Sequence, residues 1–408
     1  MREYPVVKCN KKAEKLLKSG HPWVYGEETT GPDKPFENGD IVDVVNEKGR
    51  WMGSGFINDN SKIRVRIISK NTNDRFDEAF WRRRVEYAID YRRTVMGPDF
   101  SCSRLIFGEA DSFPGFTVDL FTDILSVEVL SLGIEKRKDM LYRLLVEVLA
   151  ERGVNVRAVY ERNEAAIRLK EGMEQGKGYA WIAPGLDEMD LDGHVEIVEN
   201  GIIYDVDYIN GQKTGFFLDQ KYNRLAAAKL APGKRVLDCF THTGAFALNC
   251  AKAGATYVTA VDISKDACEQ TMKNVQANSL EDKVHVVRAD VFEYLTELAA
   301  SKKHPFDYII LDPPAFTKSS STVNSAYRGY KEINLKAMRL LPRGGYLTTC
   351  SCSHFMTPDL FCKMLREAAA DAGVQLRQIE DRRQSPDHPI LWGVPETEYL
   401  KLYLFQVV

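Results

Sequence analysis

Four aspartates, Asp238, Asp262, Asp290 and Asp312, each close a short apolar run, and they follow one another at intervals of 24, 28 and 22 residues. Each interval is long enough for one crossover helix, so the chain beyond about residue 190 reads as alternating strand and helix, the pattern of a parallel sheet. A fifth apolar run ends near Cys350. In such sheets ligands bind outside the carboxyl ends of the strands, which brings the four acids to one edge. An α/β fold is expected for residues 191–408.

A chain of 408 residues exceeds one domain, and the preceding sequence has a different rhythm. Gly39-Asp-Ile-Val-Asp-Val-Val and Ile63-Arg-Val-Arg-Ile-Ile alternate apolar with polar, and Trp51-Met-Gly-Ser-Gly-Phe-Ile is broken by glycine. Short strands with glycine turns predict a small β-barrel over residues 1–72. Phe80, Trp81, Val85, Ala88 and Ile89 then recur at three- and four-residue spacing, which predicts a helix over 76–93 with Arg82, Arg83, Arg84, Arg92 and Arg93 on its other positions. Strand candidates at 117–119, 124–130 and 156–160 enclose a helical stretch at 136–150, so residues 73–190 read as an α+β domain.

Composition narrows the function classes. With 44% apolar and 28% charged residues the chain can bury sizeable cores and is not a disordered protein. Lys plus Arg number 55 against 58 acids, a net charge of -3, so a nucleic-acid partner must be argued from local features. Residues 1–70 are mildly basic, with 13 Lys/Arg against 10 Asp/Glu. The opening residues Met1-Arg-Glu-Tyr-Pro-Val-Val-Lys hold no apolar signal core, and no run approaches the roughly 18 apolar residues that span a bilayer. Eight scattered cysteines without a Cys-x-x-Cys pair read as thiols of a reducing cytoplasm. No metal-ligand cluster stands out, and no membrane partner is expected.

The segment Arg235-Val-Leu-Asp-Cys-Phe-Thr-His-Thr-Gly is a strand and a tight turn before a helix, suited to a ligand approaching backbone amides. It is not a dinucleotide fingerprint, because only Gly244 remains of the required glycines. Asp262 is placed to accept from both hydroxyls of a ribose. Asp290 is placed to accept from an adenine amino group, with Phe292 packed near the ring. A single strand-terminal Asp is more often a helix cap, but three at successive strand ends describe a nucleoside pocket.

Val236-Leu-Asp-Cys-Phe-Thr-His-Thr-Gly, Val261-Asp, Ala289-Asp-Val, Leu311-Asp-Pro-Pro and Ser351-Cys-Ser, in that order, resemble class I S-adenosylmethionine-dependent methyltransferases, whose catalytic domain is Rossmann-like. More narrowly, Ile209-Asn-Gly-Gln-Lys-Thr-Gly-Phe-Phe-Leu-Asp-Gln with Arg224 beyond it is similar to a bacterial family of ribosomal-RNA cytosine-C5 methyltransferases with an N-terminal PUA domain. Gly20-His-Pro-Trp-Val-Tyr and Gly39-Asp-Ile-Val resemble that family's PUA module, and the stretch from Leu105 to Asp119 its central domain. The resemblance implies that Gln212, Phe217, Arg224, Asp238, Gly244, Asp262, Asp290 and Asp312 bind S-adenosylmethionine. Phe240 and His242 depart from the wider class, which usually has more glycine in this first turn.

Two prolines after Asp312 hold it out of helical geometry, so its carboxylate is expected in the cleft. In related enzymes an Asp-Pro-Pro-aromatic sequence orients an exocyclic amine, and here Ala315 precedes Phe316. Cys352, just past the next strand and expected beside Asp312, favours carbon chemistry. A thiolate adding to C6 of cytosine makes C5 enamine-like, so that C5 can attack the sulfonium methyl; loss of the C5 proton and of the thiol restores the ring. Asp312 is expected at the N3/N4 edge of the base. Cys350 is given no role, and the base that removes the C5 proton is unidentified, because a second thiol would stand where this chain has Ala315. A buried structural residue is the plainer reading of an arbitrary cysteine, but the succession of strand ends that Cys352 follows reverses that preference in favour of a nucleophile.

The expected substrate is a cytosine in 23S ribosomal RNA, extruded from any helix before reaction. The barrel and the arginine-rich helix at 82–93 are candidate phosphate contacts, the alternative for the helix being a solvated face. His354 and His388 are candidates for the neighbourhood of the site, although structural histidines are commoner. A homodimer is left open. Two rival readings are an RNA exocyclic-amine methyltransferase on the same fold and a non-catalytic RNA-binding assembly factor.

Overall fold

The computed structural model describes residues 3–301, 305–317 and 319–408; Met1 and Arg2, from the stretch read for a signal core, lie outside them. The chain divides into two compact units. The first comprises residues 1–197, 206–218 and 386–397, and the second residues 198–205, 219–385 and 398–408.

In the first unit, the alternating N-terminal runs form strands Val6–Cys9, Trp23–Val24, Ile41–Asn46, Trp51–Ile57 and Val65–Ser69 of one five-stranded sheet. A helix Lys11–Lys18 follows the first strand, capped by the Asn10 side chain. The helix expected at 76–93 spans Glu78–Met96; Asp77 caps it, accepting from Phe80 N at 3.0 Å. Its apolar positions Phe80, Trp81, Val85 and Ile89 are buried against Leu105, Val118 and Leu145, so the periodicity marked the packed face. A second five-stranded sheet carries Cys102–Phe107, Phe116–Phe121, Ile124–Val129, Ala158–Asn163 and Gly176–Ile182 in chain order. Its parallel pair, Ile124–Val129 with Ala158–Asn163, is joined by the helix Lys138–Glu151, as such a pair requires.

In the second unit, residues 198–205 carry parts of the paired strands His194–Glu199 and Ile202–Asp207, and helix α1 (Lys221–Ala228) follows. Strand and helix then alternate as the acid spacing predicts: β1 (Arg235–Cys239), α2 (Ala245–Lys252), β2 (Tyr257–Asp262), α3 (Lys265–Ala277), β3 (Val284–Arg288), α4 (Val291–Ala300), β4 (Tyr308–Leu311), α5 (Val323–Leu340), β5 (Tyr346–Ser351), α6 (Pro358–Ala372), β6 (Leu376–Arg382) and β7 (Lys401–Val407). The seven strands lie in the order β3-β2-β1-β4-β5-β7-β6, with β1 to β5 mutually parallel and β7 antiparallel to both neighbours. The order reverses between β1 and β4, which is where a doubly wound sheet opens a ligand crevice. Leu237, Val261, Ile309 and Leu347 from the strands and Tyr330, Phe361 and Met364 from α5 and α6 are buried in one core. Burying each such apolar side chain stabilises the fold by roughly 1.5–3 kcal/mol, which fixes the strand ends that carry the acids.

Candidate active site

The first turn of the edge is braced by its own aspartate. Asp238 Oδ2 accepts from Thr241 Oγ1 at 2.6 Å and from Ala247 N at 3.0 Å, tying β1 to the first turn of α2. The side chain is fully buried, and its Oδ1 has no hydrogen-bond partner among the described residues. Burial, reinforced by the charge of Asp312, pushes its pKa up to about 7. Gly244 caps α2 at φ 81°, and a Cβ there would stand 2.6 Å from Thr271 Cγ2 and 2.7 Å from Leu248 Cδ1. Phe240 and His242, the two departures from the glycine-rich pattern, both adopt positive φ, 62° and 53°. The turn therefore keeps the left-handed geometry that glycine would supply, at a conformational cost.

The other acids continue along the edge. Asp262 accepts from His242 N through Oδ2 and from Ser264 N through Oδ1, both at 2.9 Å. Burial pushes the His242 imidazole down to about 4, so it is neutral at physiological pH. Asp290 caps α4, its Oδ1 accepting from Phe292 N at 2.8 Å and Glu293 N at 3.2 Å. The bland capping reading thus describes part of what these side chains do. Carboxylate oxygens have further lone pairs, and the unpartnered buried oxygen of Asp238 fits a polar ligand laid against the backbone of this turn.

Arg224 on α1 is buried and spends Nε and Nη2 on Glu199, at 2.6 and 2.8 Å. Gln212, exposed, and Phe217, half-buried, belong to the 206–218 segment of the first unit. There the Lys213 ammonium lies 5.2 Å from the centroid of the Phe217 ring. The second unit thus brings together Arg224, Asp238, Gly244, Asp262, Asp290 and Asp312, and does not itself contain Gln212 or Phe217.

Asp312 follows β4 and accepts from Gln220 Nε2 at 3.1 Å. Burial, with the negative charge of Asp219 nearby, pushes its pKa up to about 7. Strands β4 and β5 pair Leu311 with Thr349, so the thiol beside Asp312 is that of Cys350. Cys350 is completely buried, and burial pushes its thiol well above the ordinary range. Cys352 stands two residues farther along, beyond the end of β5, and is half-buried. Sequence reasoning missed both Gln220 and the contact of Cys350 with Asp312; Leu-Asp-Gln ahead of α1 was the available signal for the first. Phe316 packs its ring against Tyr330, Phe292 and Phe240, at centroid distances of 4.6, 5.9 and 6.3 Å.

Most of the arginines on the arginine-rich helix are engaged within the protein, and Arg93, exposed, lies 4.0 Å from Asp90. Arg82 pairs with Glu86, Glu147 and Glu151, Arg83 with Asp74, and Arg84 donates to Ile68 O. Arg92 is fully buried, bound to both oxygens of Asp111 and to the Asp387 carbonyl. His388, 2% exposed and 3.0 Å from Asp387 Oδ1, is a structural residue of the first unit, whereas His354 is exposed just beyond Cys352. Sequence reasoning registered the basic N-terminal end but not its focus: Lys11, Lys15, Lys18, Lys48 and Arg50 line a concavity of about 520 Å³ with Glu14 and Asn46. Among the described residues no helix is long and apolar enough to cross a membrane, and no group of three His, Cys, Asp or Glu could hold a metal ion.

Comparison with known proteins matches these features. Residues 7–70 match the family described as PUA-like domain, and residues 185–406 the family described as S-adenosylmethionine-dependent methyltransferase. The chain is 36% identical to "Ribosomal RNA large subunit methyltransferase I" of Klebsiella pneumoniae subsp. pneumoniae, with 99% of each chain covered. It is 38% identical to the protein of the same name from Cronobacter sakazakii, with 97% of each covered. Among solved structures, a Streptococcus mutans chain described as a SAM-dependent methyltransferase superposes with a TM-score of 0.81 at 22% identity, over 98% of this chain and 99% of that one. A methyltransferase structure complexed with SAH gives a TM-score of 0.82, also at 22% identity and with the same coverage.

Proposed function

Because the chain belongs to the ribosomal RNA large subunit methyltransferase I family of S-adenosylmethionine-dependent methyltransferases, we propose that it methylates C5 of a cytosine in 23S ribosomal RNA through a covalent bond between Cys352 and C6. The observation that carries this reading is the placement of Cys352. It stands half-buried beyond the carboxyl end of β5, while Cys239, Cys250 and Cys350 of the same sheet and helices are sealed in the interior.

Asp238, Asp262, Asp290 and the Gly244 turn hold the nucleoside half of the cofactor, and Arg224, fixed by Glu199, belongs to the same pocket. The pocket roles that the resemblance gives Gln212 and Phe217 belong to the same proposal. When bound, S-adenosylmethionine supplies an electrophilic sulfonium methyl that C5 of the base accepts. The Cys352 sulfur bonds C6 and moves the C5–C6 π pair onto C5; once C5 is methylated and its proton has left, the C6–S bond breaks and its electron pair returns to sulfur. Asp312 holds the N3/N4 edge. With its pKa near neutrality it carries a proton over part of the working range and can offset charge on the ring at N3.

Residues 1–72 form the RNA-binding barrel, 73–190 a central α+β domain and 191–408 the transferase domain. The basic concavity of the barrel supplies phosphate contacts, and the cytoplasm is the site of action. A ribosomal-RNA fragment containing 5-fluorocytosine tests the mechanism, because fluorine cannot leave as a proton does. A denaturation-resistant protein–RNA adduct is expected with the parent and with Cys350→Ala, and none with Cys352→Ala. No adduct from the parent on an RNA whose unfluorinated form it methylates would overturn the covalent route; methyl found on N4 would establish the amine rival.

A further inference from the structure

Strand β7 runs antiparallel to β5, and its register sets Lys401 opposite Ser351, the residue before Cys352. Lys401 is 2% exposed, and its Nζ donates to the Ser353 carbonyl at 2.7 Å, so the ammonium grips the chain on the far side of Cys352. Among the described residues Lys401 has no carboxylate at ion-pair distance; Glu398, the nearest acid to influence it, is bound by Arg383 at 2.7 Å. A buried ammonium is costly unless it is paired. The titratable groups that face it are Cys352 from beyond β5 and Arg383 and Glu398 from the segments leading into β7. Tyr330 of α5 and Cys350 of β5 also face Cys352.

We propose that Lys401 is a positioning residue for Cys352: its buried ammonium holds the thiol as a thiolate and fixes the chain that carries it. The inference rests on the reading of Cys352 as the nucleophile. On ionisation the S–H proton passes to solvent and the thiolate becomes the counter-ion that Lys401 otherwise lacks. When the S–C6 bond forms the sulfur charge moves into the ring, and when that bond breaks it returns to sulfur; the ammonium keeps its proton throughout. Burial pushes the Lys401 pKa down to about 8, so the ammonium is still charged at neutral pH. Low thiol pKa values are produced by an adjacent cation of this kind.

The test is the pH dependence of Cys352 alkylation by iodoacetamide in the full chain, read from the Cys352 peptide by mass spectrometry. The parent should show an inflection at least one unit below the ordinary thiol value of about 8.5. Lys401→Met should move it up, lowering alkylation at pH 7 by about tenfold, and should lower kcat with KM for RNA unchanged; Lys401→Arg should restore the low inflection. An ordinary inflection in the parent, or the parent's profile in Lys401→Met, overturns the proposal. If Lys401→Met does not fold, as judged by S-adenosylmethionine binding, the parent and Lys401→Arg profiles decide. A depressed thiol that gives no adduct with 5-fluorocytosine RNA would refute the nucleophile and leave the pairing intact, whereas an adduct formed by an ordinary thiol would refute the pairing alone.

Discussion

Phe240 and His242 stand on either side of Thr241, and both hold left-handed backbone in the first turn of the site. The Asp238–Thr241 and Asp262–His242 hydrogen bonds impose this geometry, so each non-glycine residue bears the cost that left-handed φ places on a side chain.

That cost is measurable at His242 by separating backbone from side chain. His242→Gly and His242→Ala both remove the imidazole, but only glycine relieves the backbone. The glycine variant should be more stable than the alanine variant by about 1 kcal/mol in chemical denaturation. Equal stabilities would show that the turn is unstrained.

Asp238 makes stability depend on pH. Its pKa is raised from 3.8 to about 7 on folding, so the unfolded chain ionises it first and stability falls as pH rises from about 4 to 7. Asp238→Asn, which keeps an oxygen for Thr241 and Ala247, should therefore raise Tm. The gain should be full above pH 7 and fade as pH drops towards 4. A gain of constant size across that window would contradict the assignment.

Methyl transfer should have a descending limb set by Asp312. A carboxyl group whose pKa is raised to about 7 loses its proton as pH rises through that value, and with it the hydrogen bond to N3. Asp312→Asn should lower kcat by roughly 10²–10⁴ and abolish the limb. Persistence of the limb in that variant would assign it to another group.

The buried ion pair predicts a stability effect larger than any local loss of ligand contact. Arg224→Ala leaves the fully buried Glu199 without its partner and should cost about 3–5 kcal/mol. Arg224→Met combined with Glu199→Met should recover most of that loss in urea denaturation. Failure to recover it would mean that Arg224 is held by something other than this pair.

The strand ends were legible because apolar runs closed by acids report a buried parallel sheet directly. β2 ends at Asp262 as expected, and β1, β3, β4 and β5 end within two residues of the acid or cysteine that marked them. What the sequence hid depends on distance along the chain. Glu199 lies 25 residues from Arg224, and Lys401 reaches Ser353 across 48 residues through an antiparallel register that no local pattern announces. The arginines at 82–93 looked available for phosphate because their acidic partners, Glu147, Glu151 and Asp111, lie in other elements. Cys350 and Cys352 were separable only through the pairing of Leu311 with Thr349, which sets one thiol against Asp312 and leaves the other at the opening.

The reversed strand β7 is inserted between two strands that are synthesised before it. A nascent chain consequently carries β1 to β5, the whole nucleoside-binding edge, before β7 exists, and β6 has no neighbour in the sheet until β7 joins it to β5. Lys401 rides on that last strand, so its grip on the backbone around Cys352 is the final piece of the edge to be made.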